Sequence, residues 1–273
     1  MNQPLTAVLS DLHANEPAID VALEDARRRG VQRYVCLGDV VGYGARPRHT
    51  LDHVMRLCTE VPDPPEGYGP LDPGVCLQGN HEYALVNDQA EDFNPKARAA
   101  IEWTRQEINR TPNKDRAYAY WDFLADLEPS VQQGTVMYAH GSPRDPVREY
   151  LVPHDVRDVR KMAANFALME DARVCFVGHS HIPAIYFENG SIFLPSGNES
   201  NFNLDEQHEH RAIVNVGSVG QPRDGDTRLS YVLFDGNNVR FIRLEYDVSQ
   251  AQEAIRAVPE LPDSLADRLA VGR

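Results

Sequence analysis

Five times between residues 5 and 181 a short unbroken apolar run gives way to a polar cluster rich in glycine: LTAVLSDLH, RYVCLGDVVGYG, GVCLQGNHEY, TVMYAHGSP and RVCFVGHSH. Unbroken rather than alternating runs predict strands covered on both faces, as in a largely parallel sheet flanked by helices. Asn15 with Pro17 makes a helix start for the stretch up to Arg29, which Gly30 closes. HTLDHVMRL and DVRDVRKMAANFALM predict further helices. Residues 94–127 predict a helical layer carried by Ile101, Trp103, Ile108, Trp121, Phe123, Leu124 and Leu127 and broken at Pro112. PDPPEGYGPLDPG is loop.

Beyond residue 181 the texture changes to short strands and turns: AIYFENGSIFL, AIVNVGS and SYVLFDGNNVRFIRLEY, with DGNN as a hairpin signal. A helix over residues 249–258 follows, and LPDSLADRLAVGR predicts a short last helix or a frayed end. The polar, acidic residues 196–211 interrupt the strand series and predict a surface excursion.

Composition narrows the possibilities. The 273 residues are 42% hydrophobic and 25% charged, enough for a large core. No run approaches the roughly 18 apolar residues of a membrane helix, and MNQPLTAVLSDLH lacks the basic and apolar regions of a signal peptide. A cytoplasmic protein without membrane attachment is the expectation. Cys36, Cys58, Cys76 and Cys175 stand singly, three of them in strand-like runs, and predict buried thiols rather than a disulfide framework. A formal charge of −14, from 41 acidic and 27 basic residues, argues against long nucleic acid as a partner. A small anionic substrate stays open, because bound divalent cations reverse the local field.

The chemistry sits where the apolar runs end. Asp11 and His13, Asp39, Asn80 and His81, His140, and His179 with His181 each follow a strand-like run. In a largely parallel sheet such ends lie along one edge, so these side chains converge. Carboxylate and amide oxygens with imidazole nitrogens suit manganese, iron or zinc. Asp39, having two oxygens, is able to bridge two ions about 3.5 to 4 Å apart. The DxH and HxH spacings put both side chains of a pair on the same side of an extended segment. Glycines at 38, 42, 44, 79, 141 and 178 permit positive φ and close backbone approach.

Other candidates have a plainer reading beside the functional one. His208 and His210 form an HxH without strand or glycine context, which predicts a solvated loop, and His49, His53 and His154 predict surface residues. Arg144 is placed to grip a substrate phosphate in a bidentate pair or to pair with Asp145 or Glu149. Arg223 offers the same grip, against a structural role among Gly220, Pro222 and Gly225. Tyr43 and Tyr83 stack on a base or pack against the loops.

The ordered series SDLH, GDVVGYG, GNHE, AHGSP, GHSH resembles the calcineurin-like metallophosphoesterase superfamily over residues 5–246, and NVGSVGQPRDGD resembles its compact bacterial and archaeal phosphodiesterase branch. The resemblance implies an α/β (α+β) fold of two mixed β-sheets packed as a sandwich flanked by helices, here as one domain over residues 1–273. It implies one divalent metal ion held by Asp11, His13, Asp39 and His181 and a second by Asp39, Asn80, His140 and His179. By the same analogy a metal-bridging hydroxide attacks phosphorus in line, and His81 is the catalytic histidine that steadies charge or protonates the leaving oxygen. Two positions depart from the pattern. Glu82 stands where family members often carry aspartate behind the catalytic histidine, and Gln78 stands where the protein phosphatases and dinucleoside tetraphosphatases usually carry a phosphate-gripping arginine.

Hydrolysis of small phosphodiesters or nucleotides is therefore the leading expectation. Dinucleoside polyphosphate (diadenosine tetraphosphate) hydrolysis, phosphoprotein phosphatase activity and a non-catalytic scaffold are the alternatives. Residues 196–211 and the Pro/Gly loop near residue 65 rim the site or form an oligomer contact, so a homo-oligomer stays open.

Overall fold

The computed structural model describes residues 3–90, 93–207 and 210–273. Its strands are β1 (Thr6–Leu9), β2 (Arg33–Cys36), β3 (Val75–Cys76), β4 (Ser130–Gln133), β5 (Val136–Ala139), β6 (Val174–Val177), β7 (Ala184–Phe187), β8 (Ile192–Phe193), β9 (Glu199–Asn203), β10 (Ala212–Asn215), β11 (Leu229–Phe234) and β12 (Asn238–Leu244). They form two six-stranded mixed sheets, in the orders β3-β2-β1-β11-β12-β9 and β4-β5-β6-β10-β7-β8. Parallel pairing is confined to β1, β2 and β3 in the first sheet and to β5, β6 and β10 in the second.

Strand periodicity assigns each apolar residue to a layer. Val8, Val35, Val232 and Phe241 of the first sheet meet Tyr138, Phe176, Ile185 and Val214 of the second in one buried cluster, the sandwich interior. Their neighbours Ala7, Leu9, Tyr34, Cys36 and Tyr231 turn outward, under α1 (Glu16–Arg28) and α2 (Pro47–Leu57). In that layer lie also Leu85 of α3 (Asn80–Asn87), Ile101 and Ile108 of α4 (Pro95–Asn109), and Tyr120 and Leu124 of α5 (Lys114–Ala125). Met137, Cys175, Tyr186 and Ile213 turn outward from the second sheet, beneath α6 (Val159–Ala167). β1, β2, β5, β6 and β10 are thus apolar on both faces, which is why their runs are unbroken.

The structure departs from the sequence reading in four places. The third run yields a strand of two residues, because Asn80 already opens α3. The half-exposed β4 pairs with β5 at an edge, where only one neighbour has to be satisfied. Residues 196–211 are not wholly an excursion, since β9 pairs with β12 and Phe202 packs on Phe187 and Phe193. Before α6, residues Pro153–Arg157 form a 3₁₀ turn, because the Asp158 side chain accepts the Lys161 N–H and starts a new helix. At the C-terminal stretch the structure takes the short-helix alternative: α8 (Asp263–Asp267) and the 3₁₀ turn Arg268–Val271 bury Leu265, Ala266 and Leu269 against α7 (Val248–Arg256). His208 lies outside the described residues.

All four cysteines are free, and burial pushes the Cys58, Cys76 and Cys175 thiols up. No helix among the described residues is long and apolar enough to cross a membrane.

Candidate metal centre

The loops that leave β1, β2, β5, β6 and β10, together with the first turn of α3, meet at one end of the sandwich. Asp11, His13, Asp39, His179 and His181 all adopt left-handed backbone, with φ of 53°, 47°, 51°, 62° and 60°. This conformation is rare for residues with a Cβ and costs about 1 kcal/mol or more for each non-glycine. The fold tolerates it because the turns are over-determined by hydrogen bonds: Asp11 N–H donates to Gly38 O, His13 N–H to Asp39 O, and His179 N–H to Asp11 Oδ2. The β10 loop fastens the other side, where Val219 and Gly220 N–H donate to the carbonyls of Ser10 and Asp11. Its part in building the site was not legible from the five motifs.

Two side-chain clusters result, both buried. Asp11, His13, Asp39 and His181 bring one oxygen or nitrogen each to within 4.8 Å of one another, and so do Asp39, His140 and His179. Asp39 belongs to both. Asn80 joins the second, its Oδ1 3.1 Å from His140 Nε2. His13 Nε2 lies 3.3 Å from His181 Nε2, and His140 Nε2 lies 3.0 Å from His179 Nδ1.

The outer nitrogens explain this orientation. His13 Nδ1 faces Val41 O at 3.2 Å, His140 Nδ1 faces Leu37 O at 3.1 Å, and His179 Nε2 faces Arg148 O at 3.1 Å. His181 Nδ1 likewise faces Gln221 O. A carbonyl only accepts, so each outer nitrogen carries the proton and each inner nitrogen of a neutral ring carries a lone pair. Asp11 Oδ1, 3.1 Å from His181 Nε2, consequently faces no donor although it is fully buried.

Electrostatics follow the burial. Burial alone would raise Asp39 and Asp11, but the neighbouring imidazoles in their protonated form (His140 and His81 for Asp39, His181 for Asp11) hold both carboxyls well below the usual range. Burial lowers His81 to about 4 and His179 to about 3. It also lowers His13 and His181. For His140 burial opposes the effect of Asp39, which prevails and raises it to about 9.

A sequence profile of the calcineurin-like phosphoesterase superfamily domain matches residues 5–238. The chain belongs to that superfamily. An uncharacterized protein of Methanocaldococcus jannaschii is 34% identical over 279 residues, with all of both chains covered. Among solved structures, a metallophosphoesterase from Sphaerobacter thermophilus is 34% identical with a TM-score of 0.79, covering all of both chains. A hypothetical protein from Pyrococcus horikoshii shares the fold at 18% identity, with a TM-score of 0.73 over 98% of each chain.

Within this superfamily member the other candidates sort as follows. His81 is buried at the cluster, with Nε2 4.0 Å from Asp39 Oδ2 and Nδ1 without a hydrogen-bond partner among the described residues. Tyr43 packs on it and on His13, with ring centroids 4.5 and 4.6 Å away. Glu82 does not reach His81. It accepts instead from the backbone N–H groups of Asp39 (2.8 Å), Gly79 (2.9 Å) and Val41 (3.1 Å), tying the Asp39 loop to the start of α3. Burial, and then the Asp39 charge, raise its carboxyl to about 7.

Arg144 pairs with Glu149, not with the site. Arg148 lies beside the second cluster, its guanidinium 4.9 Å from the Tyr83 ring centroid and its carbonyl facing His179 Nε2. Tyr150 stacks on His179 with centroids 3.7 Å apart. A cavity of about 250 Å³ opens there, lined by Tyr43, Asn80, Tyr83, Phe93, Arg148 and Tyr150 among others. Arg148 and Tyr150 follow His140 in one loop, and nothing in the sequence separated them from Arg144. His49 and His53 stand on α2 against the exposed Asp20 of α1. His154 lies in the 3₁₀ turn after β5, apart from both clusters.

Proposed function

We propose that this protein is a dinuclear-metal-dependent hydrolase of phosphoester bonds acting on small phosphodiesters or nucleotides. The observation that carries the reading is the pair of buried clusters joined at Asp39, with imidazole lone pairs and the donorless Asp11 Oδ1 turned inward. A divalent cation satisfies such an arrangement; a proton satisfies only part of it. Asp11, His13, Asp39 and His181 would hold one ion, and Asp39, Asn80, His140 and His179 the other. The mixed oxygen and nitrogen set suits manganese, iron or zinc. When bound, two such ions supply Lewis acidity and lower the pKa of a coordinated water.

The protein's own groups do the rest. Burial keeps His81 neutral near pH 7, so one ring nitrogen carries a hydrogen. That N–H stabilises charge on a phosphoryl or leaving oxygen by hydrogen bonding without being given up. Tyr43 and Phe93, whose centroids lie 4.5 and 5.2 Å from the ring, exclude water around it. The four free thiols fit a reducing compartment such as the cytoplasm.

Turnover of bis-p-nitrophenyl phosphate or its monoester, with manganese, iron, zinc, nickel or cobalt supplied in turn, tests this reading. No hydrolysis with any of them would discard it. The aromatic cavity beside His179 favours a nucleoside-bearing substrate, and with it the dinucleoside polyphosphate alternative. Release of ADP, or of AMP plus ATP, from diadenosine tetraphosphate at a rate no better than on the generic esters would count against that narrower assignment.

A further inference from the structure

Many arginines of this acidic chain are matched with a carboxylate, as Arg29 is with Asp25 and Arg243 with Asp224. Arg223, in the loop after β10, and Arg268, in the 3₁₀ turn after α8, have no Asp or Glu partner among the described residues. They converge on one neutral acceptor. With the Gln221 amide oxygen turned toward them, it accepts from Arg223 Nε and Nη2 at 3.0 Å each and from the two terminal nitrogens of Arg268 at 3.2 and 3.3 Å. The opposite amide orientation would set NH₂ against N–H donors. The Nε of Arg268 is held by Arg273 O at 2.6 Å. Both guanidiniums lie beside the Tyr43 ring, at 6.0 and 5.4 Å from its centroid.

Two half-buried like charges around one amide repel each other, and the N–H groups that Gln221 does not use reach the hydroxyls of Tyr150 (from Arg223) and Tyr43 (from Arg268), which a phosphoryl oxygen would replace as a stronger acceptor. An interior built only for stability would place a carboxylate between them. Their position connects them to the reaction: Tyr43 packs on His81, the backbone N–H of Arg223 donates to His181 O at 3.3 Å, and the backbone carbonyl of Gln221 orients His181.

We propose that Arg223 and Arg268 form a subsite for a second phosphoryl group on the substrate, next to the one held at the paired clusters. The class of substrate is then a diphosphate or polyphosphate ester, such as a nucleoside diphosphate or polyphosphate, rather than a simple monoester. Two planar forks match the several oxygens of a tetrahedral dianion, and each bidentate pair adds strength and direction. The inference rests on the phosphoesterase reading for the place of the first phosphoryl group.

The test compares methylenediphosphonate with methylphosphonate on metal-loaded protein, by calorimetric titration and as inhibitors of bis-p-nitrophenyl phosphate turnover. The ratio of their affinities is read in the wild type, Arg223→Gln, Arg268→Gln and Arg268→Lys. Each Gln variant is expected to lower the diphosphonate preference about tenfold, the scale of one hydrogen bond to a charged group. The Lys variant keeps the charge without the fork and should lose less; it carries the comparison if a Gln variant fails to fold. An unchanged ratio in every folded variant overturns the subsite. If the ratio falls as expected and no ester is hydrolysed with any metal, the subsite stands and the hydrolase reading fails.

Discussion

Glu82→Ala should loosen the candidate metal centre without removing any of its donors. The fully buried Glu82 carboxylate takes three backbone N–H groups, those of Asp39, Gly79 and Val41. A buried donor left unpaired costs about 1–3 kcal/mol. Truncation to alanine leaves room for water, which would recover about one of the three partnerships, and the carboxylate's own burial cost is relieved. The net loss is then about 3 kcal/mol, within a range of 2–5, or a fall in Tm of about 6–12 °C for a chain of this size. Glu82→Gln keeps an oxygen for two of the donors and should cost about 1–2 kcal/mol. Thermal and urea unfolding give the loss, and hydrogen exchange locates it: the Asp39, Val41 and Gly79 amides should exchange faster while β6 amides keep pace with global stability. Metal affinity should fall at both sites, since Asp39 is shared. A stability loss below about 1 kcal/mol with unaltered exchange at those amides would refute the bracing role.

Three further outcomes are expected. Ala at position 42 would set its Cβ 2.0 Å from His81 Nδ1 at φ +88°, so Gly42→Ala should lower kcat about 100-fold or more, measured beside metal content. In metal-free protein His140 titrates at about 9 rather than near 6.5, so its contribution to stability is fully present below pH 6.5 and is lost as pH rises toward 9. A ligating imidazole is neutral, so metal uptake at pH 7 should release about one proton from His140, read from calorimetric titrations in buffers of differing ionisation enthalpy. Glu170 is exposed at φ 46°, and Glu170→Gly should raise stability by about 1 kcal/mol, or 2–4 °C in Tm.

The two-layer architecture was legible because β1, β2, β5, β6 and β10 are apolar on both faces, a pattern that only covered strands require. Each motif residue assigned to the two clusters lies in them or, like Asn80, against them, because DxH and GNH fix spacing along the backbone. What lay hidden depends on contacts between distant segments. β9 has a single neighbour and one packed aromatic, too little periodicity to read. Glu82 reads in the sequence only as a departure next to His81, and the meeting of the Asp39 and Gly79 loops shows the backbone donors it serves. For Arg144 the sequence left a phosphate grip and an ion pair open; the structure shows the pairing with Glu149, while Arg148 lines the cavity beside His179. Arg268 reaches Gln221 only because α8 folds against α7, so its final-segment position gave no hint.

Anomalous diffraction from crystals of the manganese-loaded protein is the most direct measurement of the central claim. Two peaks are predicted, about 3.5–4 Å apart, with an Asp39 oxygen touching both, Asp11, His13 and His181 around one and Asn80, His140 and His179 around the other. A single peak, or manganese only at Asp20, His49 and His53, would contradict it.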